Sequence, residues 1–123
     1  MELTDEIMVQ KTTQSRLQEV DFNKLGFGNY VADHMLISHY ANEQWNAPKV
    51  IPFGEITLSP TTLALHYGQS VFEGLKAFKL DDGRINLFRV HKHYERFVRS
   101  LSRMCMPAVP EDIFVDGLRR LIE

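Results

Sequence analysis

The stretch HYGQSVFEGLKAF, residues 66–78, decides the expected fold. Residues 70–79 and 84–89 are two apolar runs joined by the sequence LDDGR, and Asp and Gly between such runs are typical of a β-hairpin. If 70–79 is a strand, Phe72, Gly74 and Lys76 share one face and Glu73 lies on the other. Gly74 then leaves a gap in a row of side chains. Such a gap indicates either a bulge or the close approach of a ligand or backbone, and the pattern leaves both open.

Two amphipathic helices are predicted after this hairpin. The apolar stripe of the first recurs every three or four residues and consists of Val90, Tyr94, Phe97, Leu101 and Met104. Pro107 is expected to end this helix. The second helix should begin near Pro110, with acidic residues in its first turn, and its apolar stripe consists of Phe114, Leu118 and Leu121.

The segment before the hairpin is expected to hold shorter elements. Residues 1–29 are rich in polar and turn-forming residues and are predicted to be an N-terminal arm with at most one short strand. Residues 30–123 should form the folded domain, with strand composition in 30–40, a short strand from Lys49 and a short helical segment near 61–66. No Gly or Asn cap precedes the end at Glu123, so the chain is interpreted as truncated inside a larger protein, although a frayed natural terminus gives the same pattern.

Composition and charge exclude several classes of function. The 123 residues are enough for one domain, and a formal net charge of −2 offers no argument for binding nucleic acid or an anionic membrane. The histidines lack the spacing of a metal site, so no metal is expected. Cys105, the single cysteine, is expected to be a buried apolar thiol. The N-terminus is acidic and no apolar run has the length of a membrane span, so a cytoplasmic protein is expected.

Basic residues run along one side of the first predicted helix. They are Arg89, Lys92, Arg96, Arg99 and Arg103. Three of them, Arg89, Arg96 and Arg103, are spaced by seven, beside the apolar stripe. Such a row is usually a solvated face whose long side chains cover the edge of the core. Alternatively, one guanidinium grips a phosphate with two hydrogen bonds, but the pattern does not select which arginine. Lys76 is a lone lysine on a predicted strand, which favours a surface role over a catalytic one.

Taken together, four motifs resemble a known family. They are FGNYVADHML, LALHYGQSVFEGLKAFK, LFRVHKHYERFVRSLSRMCMP and LRRLIE. From about Arg16 onward the chain resembles the N-terminal part of branched-chain amino acid aminotransferases, fold-type IV enzymes that depend on pyridoxal 5′-phosphate (PLP). D-amino acid aminotransferases and aminodeoxychorismate lyases share that fold, but the FGNYVADHM and RMCMP segments favour the branched-chain group.

The resemblance implies an architecture for this chain and for its parent protein. The chain should be a small α+β domain, an antiparallel sheet with a β-hairpin packed by two or more helices. The parent should be a homodimer with PLP at the boundary between two domains. The Schiff-base lysine belongs to the missing C-terminal domain, since no segment here matches the motif around it. The chain itself should therefore carry no catalytic residue and be inactive alone.

The resemblance also implies a role for particular side chains. Arg96 matches the residue that binds the PLP phosphate. The substrate pocket is matched by three aromatic walls and one adjacent glycine, namely Phe27, Tyr67, Phe72 and Gly74. The intact enzyme would transfer the amino group of leucine, isoleucine or valine to 2-oxoglutarate. A non-enzymatic module, whose basic helix face meets an acidic partner, is the alternative from a different class.

Overall fold

A three-stranded sheet is the largest sheet of the computed structural model, which describes residues 7–123. Its central strand is β5 (Lys49–Pro52). On one side β5 pairs in parallel with β1 (Met8–Val9), and on the other it pairs antiparallel with β2 (His34–Ile37), where Leu36 lies opposite Val50. Val50 is only 2% exposed, so the central strand supplies the most buried side chain of the core.

Two small antiparallel hairpins complete the β-structure. In the first, β3 (Tyr40–Ala41) pairs with β4 (Gln44–Trp45) across Asn42 and Glu43. Both loop residues have positive φ, 51° and 62°, as a two-residue type I′ turn requires. In the second, β6 (Ala77–Lys79) pairs with β7 (Ile85–Leu87). The hairpin predicted at this place is therefore present.

Residues 7–123 contain three α-helices, of which the third packs on the second and on the sheet. They are α1 (Leu63–His66), α2 (Val90–Arg103) and α3 (Glu111–Ile122). The Phe114 ring of α3 lies 5.6 Å from that of Tyr94 and 5.4 Å from that of Phe97, both on α2. Helix α3 also packs against β2 and β5. A Cβ at Gly117 would lie 2.6 Å from Cδ2 of Leu36, so this glycine permits the close approach of α3 to β2. The α+β fold class is confirmed.

The predicted strand over 70–79 is too long, because only 77–79 pair with a neighbour. The reason is that the partner strand β7 ends at Leu87. Arg89 adopts a left-handed conformation, with φ of 55°, and α2 begins at the next residue, so β7 offers residues 70–76 no strand to pair with. Residues 70–76 nevertheless keep the alternation of an extended chain. Val71, Glu73 and Leu75 are partly buried, whereas Phe72, Gly74 and Lys76 are exposed.

The end of α2 differs from the prediction. The helix stops at Arg103, well before Pro107, and Met104 is exposed instead of continuing the apolar stripe. Cys105 takes a left-handed conformation, and the N–H of Met106 donates to the carbonyl of Leu101 at 2.9 Å, as in a Schellman motif. The prediction of a buried Cys105 is wrong, because the thiol sits on this exposed turn.

The core side of α3 also differs from its predicted stripe. The buried residues are Ile113, Val115 and Gly117, whereas Phe114, Leu118 and Leu121 are only partly buried. The helix α3 contacts α2 as well as strands β2 and β5, and its burial is not confined to one stripe.

The predicted arm, 1–29, lies partly outside the described residues, which exclude 1–6. Its described portion contains β1 and a 3-10 turn at Leu17–Glu19. Across 7–123, the helices are all too short or too polar to cross a bilayer.

Candidate functional site

A nearly buried carboxylate, Glu73, joins the extended segment 70–76 to α2. Its side chain is 6% exposed and contacts two residues that lie one helical turn apart, His93 and Arg96. Arg96 Nε donates to Glu73 Oε2 at 2.8 Å, while Arg96 Nη2 donates to Oε1. His93 Nδ1 lies 2.9 Å from Oε1 and donates to it in the Nδ1–H tautomer. The planar guanidinium is therefore held along one edge by two hydrogen bonds.

The same contacts determine the charge of the cluster. The hydrogen bonds from Arg96 lower the pKa of Glu73 to about 2, against the opposing effect of burial, and the hydrogen bond from His93 acts in the same direction as Arg96. The carboxylate in turn raises the pKa of Arg96. Both groups are thus ionised at neutral pH, and the pair persists as a carboxylate and a guanidinium.

A shallow depression of about 380 Å³ lies beside this cluster on α2. It is lined by three arginines, one hydroxyl and one thioether, namely Arg96, Arg99, Arg103, Ser100 and Met104. The Arg96 side chain is 56% exposed, and within 7–123 its Nη1 has no hydrogen-bond partner. Because no acidic residue lines the depression, its chemistry suits an anion with several oxygen acceptors.

Sequence reasoning found only part of this arginine set. The structure brings Arg96 and Arg103 to the depression, but Arg89 is not among its lining residues. Ser100 was missed. Arg99 was recognised as a basic residue of the helix but was not grouped with Arg96 and Arg103, although it follows Arg96 by three residues and precedes Arg103 by four. On a helix this spacing puts all three on neighbouring positions of one face, and that signal was available.

A larger depression, of about 600 Å³, lies between the second hairpin and the helices. None of the residues predicted for the site lines it. Both of its arginines, Arg84 and Arg119, form ion pairs with aspartates. In the depression on α2 only Arg96 is paired, since Arg99 and Arg103 form no ion pair within the part of the chain that the structure describes. The larger depression is therefore the weaker candidate for an anion site.

The aromatic residues predicted to line a substrate pocket lie on the surface. Phe27, Tyr67 and Phe72 are each at least 79% exposed. A Cβ at Gly74 would meet nothing within 4 Å, so the space beside the extended segment is open. Gln69 Nε2 donates to the carbonyl of Met104 at 2.7 Å and ties this segment to the end of α2. That these aromatics wall a pocket stays a prediction.

Comparison with known proteins gives similarity along most of the chain, although no family model matches it. Branched-chain-amino-acid transaminase 1 of Bacillus subtilis is 41% identical over 107 residues, 86% of this chain and 30% of that protein. Branched-chain-amino-acid aminotransferase 2 of the same organism is 36% identical over 121 residues, 98% of this chain and 33% of that protein. The branched-chain-amino-acid aminotransferase of Mycolicibacterium smegmatis is 45% identical over 98 residues.

The matches cover most of this chain but only about one third of each relative. In these comparisons the chain spans 27% to 33% of the length of the curated relatives it matches, while the matches cover 79% to 98% of the chain itself. All three relatives are named as branched-chain-amino-acid transaminases or aminotransferases. The chain is therefore a homologue of about one third of a branched-chain amino acid aminotransferase.

Proposed function

We propose that this chain is the small N-terminal domain of a two-domain, PLP-dependent aminotransferase. The intact enzyme would transfer the amino group of leucine, isoleucine or valine to 2-oxoglutarate. The observation that carries the proposal is the half-exposed guanidinium of Arg96, beside Arg99 and Arg103, in a chain 41% identical to a transaminase. This chain contributes binding groups, and the lysine that holds the cofactor covalently is expected in the remainder of the enzyme.

The donor set on α2 fits the phosphate of PLP. Arg96 would bind that phosphate through its unpaired Nη1, and Arg99 and Arg103 would add positive charge around it. A phosphate monoester carries up to two negative charges and three acceptor oxygens, which guanidinium groups match well. When bound, PLP supplies the electron sink for removal of the substrate α-proton, and this chain would supply the anchor that holds it.

The exposed aromatic residues would select the substrate side chain. Phe27, Tyr67 and Phe72 offer apolar surface, and Gly74 leaves open space beside Phe72. Burial of each CH₂ group of a branched side chain against such surface contributes about 0.8 kcal/mol. That term favours leucine, isoleucine and valine over smaller or polar amino acids.

The same exposure supports an assembled enzyme. Rings exposed this far are unfavourable in water, and the relatives are about three times as long as this chain. We infer that the remainder of the polypeptide and the second subunit of a homodimer cover this surface and complete the substrate pocket.

The test is to assay the intact protein with PLP, L-leucine and 2-oxoglutarate. We expect sustained formation of glutamate, and none above free PLP with the 123-residue chain as control. Activity with D-alanine or aminodeoxychorismate in place of L-leucine would assign the protein to another fold-type IV enzyme. Sustained turnover by the 123-residue chain would refute the assignment of the reactive lysine to the remainder.

A further inference from the structure

The nearly buried Glu73 has no role in the proposal above. It lies 23 residues from Arg96 in sequence, yet it is the partner of that arginine on α2. Among residues 7–123, neither Arg99 nor Arg103 forms an ion pair with a carboxylate. Of the three arginines that line the depression, Arg96 is therefore the one whose direction is set.

The geometry shows how this direction is set. A guanidinium presents its donors in a rigid plane, so two bonds along the Nε and Nη2 edge fix the plane and leave Nη1 pointing away from the carboxylate. His93 supports the arrangement, because its Nδ1 lies 2.9 Å from Glu73 Oε1, the oxygen that also accepts from Arg96 Nη2. The free Nη1 belongs to the residue that lines the depression with Arg99 and Ser100.

We propose that Glu73, supported by His93, is a positioning residue that holds Arg96 ready to bind the phosphate of PLP. This inference rests on the proposed function. A free arginine side chain loses much rotational freedom when it binds an anion, and an arginine already held by Glu73 has lost that freedom before the anion arrives. The nearby negative charge opposes phosphate binding, so the proposal requires the gain from orientation to exceed that cost.

The experiment titrates the apo form of the intact aminotransferase with PLP and, separately, with pyridoxal, which lacks the phosphate. Glu73→Ala should weaken PLP affinity about tenfold, since the arginine must then be ordered on binding, and leave pyridoxal affinity unchanged. Glu73→Gln keeps one acceptor for the guanidinium and the shape of the side chain, so it should weaken PLP affinity by only about threefold. Glu95→Ala is the matched control, because Glu95 adjoins Arg96 but pairs with Lys92, and it should change neither affinity.

A double-mutant comparison isolates the dependence on Arg96. In the Arg96→Ala background, Glu73→Ala should cause no further loss of PLP affinity. Additive losses, equal losses of PLP and pyridoxal affinity, or tighter PLP binding by either Glu73 variant would each overturn the inference. If Arg96→Ala weakens PLP binding but Glu73→Ala does not, only the positioning role fails. If Arg96→Ala leaves PLP affinity unchanged, the phosphate role under the proposed function fails as well.

Discussion

Replacing Gly117 with alanine should destabilise this fold, although alanine normally stabilises the interior of a helix. In an unconstrained helix, the change from glycine to alanine contributes roughly 1 kcal/mol in favour of folding. Here the added Cβ would lie 2.6 Å from Cδ2 and 3.3 Å from Cδ1 of Leu36. Extra methyl groups forced into packed positions typically cost about 1–3 kcal/mol. The net effect should be a loss of about 1 kcal/mol.

Urea unfolding of the 123-residue chain, followed by fluorescence, measures this change. Trp45 is the single tryptophan, and its Nε1 donates to the carbonyl of Ala108 at 2.8 Å, between α2 and α3. Its emission therefore reports on the packing of the helices against the strands. Gly74→Ala is the matched control, because its Cβ would meet nothing within 4 Å, and it should leave the unfolding midpoint nearly unchanged.

A double-mutant cycle with Leu36→Ala tests the physical reason. Once the Leu36 methyl groups are removed, Gly117→Ala should become stabilising by about 1 kcal/mol, because only the helix preference remains. A coupling energy near zero between the two sites would refute the argument. So would a higher stability of Gly117→Ala in the otherwise unchanged chain.

Three further outcomes are expected. Glu73 has its pKa lowered from 4.5 to about 2, so its ion pair contributes stability in full above pH 4.5, and that contribution is lost as the pH falls towards 2. Glu73→Gln should flatten the pH dependence of urea unfolding across this range, and an unchanged slope would contradict the pairing. Val50→Ala, at a site 2% exposed, should cost about 2 kcal/mol in the same unfolding assay, and a cost below half of that would show a looser core. Cys105 is exposed, so an aromatic disulfide reagent should label it in the native chain as fast as in the unfolded chain, and strong protection would contradict the exposed turn.

Local patterns in the sequence were sufficient for much of the secondary structure. The stripe from Val90 to Leu101 predicts α2, because helical periodicity depends only on near neighbours. The second hairpin follows from the turn residues that contain Gly83, whose φ is 83°. The ends of elements were less well predicted. The start of β6 depends on where its partner β7 ends. The exposure of Cys105 depends on the turn that follows the C-terminus of α2.

The sequence alone determined the alternation of residues 70–76 and the basic face of α2, while the resemblance predicts that Arg96 is the phosphate ligand on that face. These features depend on neighbours a few residues apart. Only the tertiary structure joined Glu73 to Arg96, because the two are 23 residues apart and meet when the extended segment packs beside α2. Contacts between distant segments depend on the packing of whole elements, which periodicity within any single element does not encode.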